Sequence, residues 1–238
     1  MSETRPNPWN ETPAPGQALL PAHVYAASRD WGGYFRSLAH LGPRETLLAA
    51  LSSFDADPPA DASRDAIDLG CGDGRDTAEL LRRGWRVLAI DASDEGLDRL
   101  RRRNDLVHPE RLETRRASFE DVTLPPCTLL CASFSLPFCP AHAFPRLWAA
   151  VTGSIRPGGR FAGQLFGDAD DWARLPDRTH HTPDQARALF EGFELERFQE
   201  ERRDSAVDPV SHPKRWHVFH IVARRAGQPA SAPSSRVS

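Results

Sequence analysis

The chain has 238 residues, enough for one α/β domain with a full hydrophobic core, or at most two small ones. Its formal net charge of -3 leaves no basic excess for a nucleic-acid or anionic-membrane partner. No apolar run approaches the roughly 20 residues of a membrane helix, and the opening M-S-E-T-R-P-N-P-W-N-E-T-P-A-P-G lacks a signal-peptide apolar core, so a soluble cytoplasmic protein is expected. Cysteines at 71, 127, 131 and 139 form no CxxC pairs, which argues against a zinc site or a disulfide framework, and no metal is expected.

Residues 1–22 are proline-rich and read as a disordered lead-in. An aromatic segment follows with Tyr25, Trp31, Tyr34 and Phe35. Residues 43–54 read as a helix, with Leu47, Leu48, Leu51 and Phe54 at helical spacing and Pro43 in the first turn. Residues 23–60 are expected to form a helical lid, and 61–225 the main domain. The apolar run 66–69 predicts a first strand, 77–83 a helix ended by Gly84, and 87–90 a second strand. Ser93 is placed to cap a helix over 94–103; the arginines at 99, 101, 102 and 103 read as its solvated face. Strands are predicted at 111–115 and 128–134, the latter apolar on both faces as a central parallel strand should be. A helix over 144–155, the R-P-G-G-R turn and a strand over 161–166 follow. Thr182, Pro183 and Gln185 then mark a helix start. Strands at 193–198 and 216–223, with only polar residues between, predict an antiparallel hairpin. The polar segment 202–214 carries no readable motif, and 226–238 reads as a disordered tail. Alternating strands and helices closed by a hairpin give an α/β, mostly parallel sheet covered on both faces.

The stretch A-I-D-L-G-C-G-D-G-R-D-T through V-L-A-I-D-A, residues 66–92, is the chemical centre. It is a strand, a glycine loop, a helix and a second strand that ends in an acid, the unit that brings a nucleotide-like ligand to a sheet edge. Cβ atoms at Gly70 and Gly72 are expected to obstruct a closely approaching ligand. The helix behind the loop presents free N–H groups to an anion. Arg75 occupies the place where a dinucleotide fingerprint has its third glycine, and Asp68 before the loop can meet a cationic amino group. Both features favour S-adenosylmethionine over a nicotinamide dinucleotide, while Asp91 is placed to accept from ribose hydroxyls in either case.

Asp68, Gly70, Gly72, Gly74, Asp91 and the later R-P-G-G-R turn in this order resemble the class I S-adenosylmethionine-dependent methyltransferases over about residues 43–225. C-G-D-G-R-D-T at 71–77 and H-V-F-H-I-V-A-R-R at 217–225 look most like the tellurite-resistance and thiopurine types, which act on small molecules. The resemblance implies a Rossmann-like seven-stranded sheet in the order 3-2-1-4-5-7-6 with strand 7 antiparallel. It also implies a cofactor site at the carboxyl ends of strands one to four. Asp68, Gly70, Cys71 and Gly72 would line the methionine part and Arg75 meet its carboxylate. Asp91 would hold the ribose, Ala92, Phe119 and Glu120 flank the adenine, and Ala132 and Ser133 touch the methionine.

For the acceptor, Trp31, Tyr34 and Arg36 belong to the lid, Ser135 and Phe138 follow strand four, and Trp172 follows strand five. Arg36 and Arg178 offer charge to an anionic group. His180 and His181 are the catalytic candidates, whereas His217 and His220 read as structural. The absence of an Asn/Asp-Pro-Pro-Tyr-type sequence after strand four argues against methylation of DNA bases or protein glutamine. The expectation is therefore methyl transfer to a small-molecule O, N or S nucleophile, by a monomer or homodimer without nucleic-acid or membrane partners. A tellurite- or thiol-detoxifying enzyme and a non-catalytic S-adenosylmethionine-binding regulator are the alternatives. A nicotinamide oxidoreductase is disfavoured by Arg75 and Asp68.

Overall fold

The computed structural model describes Leu20 and residues 22–38, 41–58, 63–205 and 213–227. The expected lead-in and tail fall almost wholly outside these residues, as does 206–212 of the segment without a motif. In chain order the elements are α1 (Ala22–Ala27), α2 (Trp31–Leu38), α3 (Glu45–Ala56), β1 (Asp65–Leu69), α4 (Arg75–Arg82), β2 (Arg86–Asp91), α5 (Asp94–Arg101), β3 (Leu112–Arg116) and β4 (Cys127–Ala132). Then come α6 (Phe144–Ser154), β5 (Ile155–Gly167), β6 (His180–His181), α7 (Pro183–Ala188), β7 (Phe193–Asp204) and β8 (Arg215–Arg225).

The strands form one sheet in the order β3-β2-β1-β4-β5-β8-β7, with the two-residue β6 beside the end of β5. β1 to β5 run parallel, and β8 is antiparallel to both β5 and β7. Without β6, this is the expected order. Strand alternation divides the core in two. Ala66, Val87, Ala89, Leu129 and Cys131 pack under Leu47, Leu51, Leu80 and Leu97 of α3, α4 and α5. Ile67, Leu69, Leu88, Ile90 and Leu130 face the other way, onto Leu147, Trp148 and Val151 of α6.

Local chemistry explains the helix ends. Ser93 accepts from Gly96 N at 3.1 Å and starts α5. Thr182 and Gln185 form a reciprocal capping box on α7, with bonds of 2.9 and 3.2 Å. Three expected boundaries are corrected. The R-P-G-G-R turn lies inside β5: the β4–β5 register slips between Cys127 and Leu129, and Gly158 takes φ +77° to absorb it. β4 stops at Ala132, because Phe134 adopts φ +53° and leaves the strand conformation. β7 runs on to Asp204, well beyond the expected end at Phe198, since the polar run 199–204 pairs with β8 as an edge strand instead of forming a loop.

Candidate active site

A cavity of about 780 Å³ opens at the carboxyl ends of β1, β2 and β4, between the glycine loop and α1–α2. This is where a parallel α/β sheet reverses strand order and where such sheets bind ligands. α2 seats on the loop through Phe35. Gly72 has φ +54°, and a Cβ there would lie 2.7 Å from the Phe35 ring. A Cβ at Gly70, φ +75°, would overlap Ser135, whose hydroxyl donates to Leu69 O at 2.6 Å. These two glycines therefore make room for the protein's own α2 and β4 loop, a different reason from the expected clearance for a ligand.

Buried charge gathers beneath the loop. Asp68 is 2 % exposed and accepts from Thr77 Oγ1 at 2.6 Å. Its pKa is raised to about 8, first by burial and next by the neighbouring Asp76. Asp76, 4 % exposed, accepts from the backbone N of Arg44 at 2.8 Å and from Ser133 Oγ at 2.5 Å. Asp91 is further along the wall. It accepts from Gly72 N at 2.8 Å and Ser93 N at 2.7 Å, and burial raises its pKa.

Arg75 donates from Nε to Gly42 O, while its buried Nη1 has no partner. Burial and the Arg44 charge lower its pKa. Arg44 lies 4.5 Å over the Phe134 ring. Both guanidinium groups, Asp68 and Asp76 line the same cavity.

The rest of the wall is aromatic. Trp31 packs edge-on against Tyr34 and Phe138, with centroids 5.7 and 5.1 Å apart. The Tyr34 hydroxyl is held neutral by burial. Phe134 is fixed in its left-handed conformation by Gln164 Oε1, which accepts its N–H at 2.9 Å; Gln164 in turn donates to Thr46 at 2.8 Å.

Among the sequence-derived candidates, Asp68, Gly70, Cys71, Gly72, Arg75, Asp91, Ala92, Phe119, Glu120, Ser133, Trp31, Tyr34, Ser135 and Phe138 line the cavity. Five do not. Ala132 is buried in the core beside α6. Arg36 is exposed on α2. Trp172 packs behind the wall, with its ring 5.9 Å from Phe138 and 5.7 Å from Phe166. His180 and His181 form β6: their rings pack against Phe166 at 5.8 Å and Phe144 at 4.9 Å, and burial lowers both pKa values to about 4. They are neutral imidazoles behind the site. Arg178 also lies off the wall, donating to Ala26 O and Ala27 O at 3.2 and 3.4 Å, so it ties α1 to the domain. His217, fully buried, accepts from Ala169 N at 3.1 Å. His220 meets Glu201 at 2.7 Å.

Sequence reasoning passed over Asp76, Arg44 and Phe134. Asp76 reads as an ordinary first-turn helix acid, and Arg44 as a residue before a helix. Only the approach of α3 and β4 to α4 shows them sharing one wall.

Comparison with known proteins agrees with this geometry. Residues 66–159 match the family model described as a methyltransferase domain. No curated protein matches the chain in sequence. Among solved structures, TehB from Haemophilus influenzae aligns with a TM-score of 0.63 at 14% identity, covering 82% of this chain and 67% of that one. Magnesium protoporphyrin IX methyltransferase from Synechocystis, solved with S-adenosylhomocysteine (SAH) bound, gives 0.61 at 13%, covering 85% and 97%. An S-adenosylmethionine-dependent methyltransferase from Mesorhizobium loti gives 0.53 at 20%, covering 74% and 98%. Residues 66–159 thus match a methyltransferase-domain family, and the chain as a whole has the fold of S-adenosylmethionine-dependent methyltransferases of known structure.

Proposed function

We propose that the chain transfers the methyl group of S-adenosylmethionine to a small organic molecule held under the α1–α2 lid. One observation carries this reading: a single cavity combines buried opposite charges with an aromatic wall. Asp68 and Asp76 suit the cofactor's ammonium, and Arg75, with its unpartnered Nη1, and Arg44 suit its carboxylate. Asp91 is placed for the ribose, and Ala92, Phe119 and Glu120 for the adenine. Bound there, the cofactor supplies a methyl group already activated on a sulfonium. The protein's task is to orient the acceptor and exclude water, which Trp31, Tyr34, Phe134 and Phe138 do with a rigid apolar surface.

Among the described residues no histidine or lysine lines the cavity. A protonated acceptor would therefore lose its proton to solvent or to a carboxylate of the wall rather than to an imidazole. The lid's aromatic rings favour an organic metabolite over an inorganic oxyanion. Four buried free cysteines support a reducing cytoplasm as the working compartment, and a net charge of -3 offers no electrostatic pull on a nucleic acid. No helix among the described residues is long and apolar enough to cross a membrane.

The test is methyl transfer from isotopically labelled cofactor to two panels, small aromatic thiols, amines and phenols in one, and DNA, RNA and protein in the other. Label in a small product supports the reading. Label only in a macromolecule overturns the substrate class, and tight cofactor binding without any transfer favours a regulator.

A further inference from the structure

Of the 30 lysines and arginines in the chain, one is a lysine, Lys214. It directly precedes β8 and is buried, 3 % exposed. Its Nζ donates to Asp170 Oδ1 at 2.5 Å and to Arg215 O at 3.2 Å. Three rings surround the ammonium: Trp216, Trp172 and Phe166, with centroids 3.9, 4.4 and 5.7 Å from Nζ. Asp170 is as deeply buried. It also accepts from Trp172 N at 2.9 Å and, through its other oxygen, from His217 N at 3.1 Å. One ion pair thus joins the turn after β5 to the first residues of β8, and the two tryptophans stand on either side of it.

A buried ion pair is weak support for stability, because both charges give up their water and apolar side chains fill the same space without that cost. What the pair adds is direction. A guanidinium is a flat fork, whereas an ammonium is a compact point charge on a flexible stem. Here it bonds a carboxylate and a carbonyl while its charge faces three rings at once. That geometry accounts for a lysine at this one place in a chain that otherwise uses arginine.

The clamped rings back onto the aromatic wall of the cavity. Trp172 lies 5.9 Å from Phe138, Trp216 lies 6.5 Å from Phe134, and Phe166 is within 6.4 Å of both phenyl rings. Phe134 and Phe138 line the cavity, and Trp31 packs on Phe138 at 5.1 Å. We infer that Lys214, with Asp170, is a positioning residue: from behind the wall it fixes Trp172 and Trp216, and through them the rings that hold the acceptor. A close-packed interior passes such a constraint on. That the wall meets an acceptor rests on reading the cavity as the methyl-transfer site; the clamp itself does not. Its loss disturbs the acceptor side and leaves cofactor affinity in place.

Two NMR measurements on the full chain test this. Isotope-labelled lysine gives a single side-chain signal, because the chain has one lysine. The expected signal is moved upfield by the surrounding rings, with ammonium protons that exchange slowly with water; a signal like that of free lysine overturns the inference. The second measurement uses fluorine-labelled tryptophan. In Lys214→Met the resonance of Trp31, on the cavity side, moves together with those of Trp172 and Trp216, while Trp85 beside Phe54 and Trp148 on α6 stay in place. Affinity for S-adenosylhomocysteine, measured by calorimetry, stays within about twofold. An unmoved Trp31 makes the pair a local brace and overturns the inference, and so does movement of Trp85 and Trp148 as well, the mark of general loosening. If Lys214→Met does not fold, Phe138→Leu reads the same coupling from the cavity side. The lysine signal then shifts in return, and an unshifted one overturns the inference. Failure of the parent chain to bind S-adenosylhomocysteine overturns the reading of the cavity instead, with the lysine and fluorine signals still deciding the clamp.

Discussion

At Asp91 one carboxylate serves two purposes. Its oxygens accept from Gly72 N and Ser93 N, which ties the glycine loop to the start of α5, and the same group faces the cavity where a ribose would lie. Asp91→Ala is expected to weaken binding of S-adenosylhomocysteine by about 1–3 kcal/mol, read by calorimetry, through lost charge-assisted hydrogen bonds. Unchanged affinity would remove Asp91 from the site.

His180 and His181 give a second prediction at this scale. Both are held near pKa 4 by burial, below the ordinary value of 6.5. The folded state therefore binds fewer protons than the unfolded chain between pH 6.5 and 4. The stability they contribute is present above pH 6.5 and is lost as pH falls through that window. The thermal midpoint should drop across it, and His181→Leu should flatten the drop. A midpoint independent of pH there would contradict their burial as neutral imidazoles.

At the scale of elements, α2 and the glycine loop are one packing unit. Phe35 occupies the space a Gly72 side chain would take, and Arg178 holds the carbonyl end of α1. Gly72→Ala should displace α2 and weaken cofactor binding at least about tenfold, since the backbone at φ +54° disfavours a Cβ as well. Arg178→Met should leave the sheet intact but speed amide exchange across residues 22–38 at least severalfold, measured by mass spectrometry. Exchange unchanged from the parent would show that Arg178 is not what holds α1.

The β1–loop–α4–β2 unit was legible in the sequence because its signals are local: apolar runs, glycines and terminal acids at fixed spacing. The sheet order is not a local signal: it was expected only because the family resemblance implies it. The long β5 was not, because Pro157, Gly158 and Gly159 signal a turn, and only the slipped pairing with β4 makes them part of a strand. His180 and His181 looked catalytic because proximity to a pocket in sequence says nothing about which side of a wall a ring occupies. Phe166 and Phe144 decide that.

Across the whole molecule, the hairpin edge is joined to the far side of the sheet by one buried charge. Arg160 of β5, 1% exposed at its side chain, pairs with Glu196 at 2.8 Å where β7 shifts register, lies 4.6 Å over Phe54 of α3 and donates to Asp57 O at 3.3 Å. Glu196→Ala leaves that guanidinium unpaired and should cost about 3 kcal/mol in denaturant unfolding. A loss under about 0.5 kcal/mol would show the pair to be dispensable.

The account as a whole rests on the cavity being built for a zwitterionic methyl donor and not for a dinucleotide. Calorimetry of the full chain with S-adenosylhomocysteine and, separately, with NADH tests this most directly. The account predicts one saturable site for S-adenosylhomocysteine and no binding of NADH. Binding of NADH alone would contradict it.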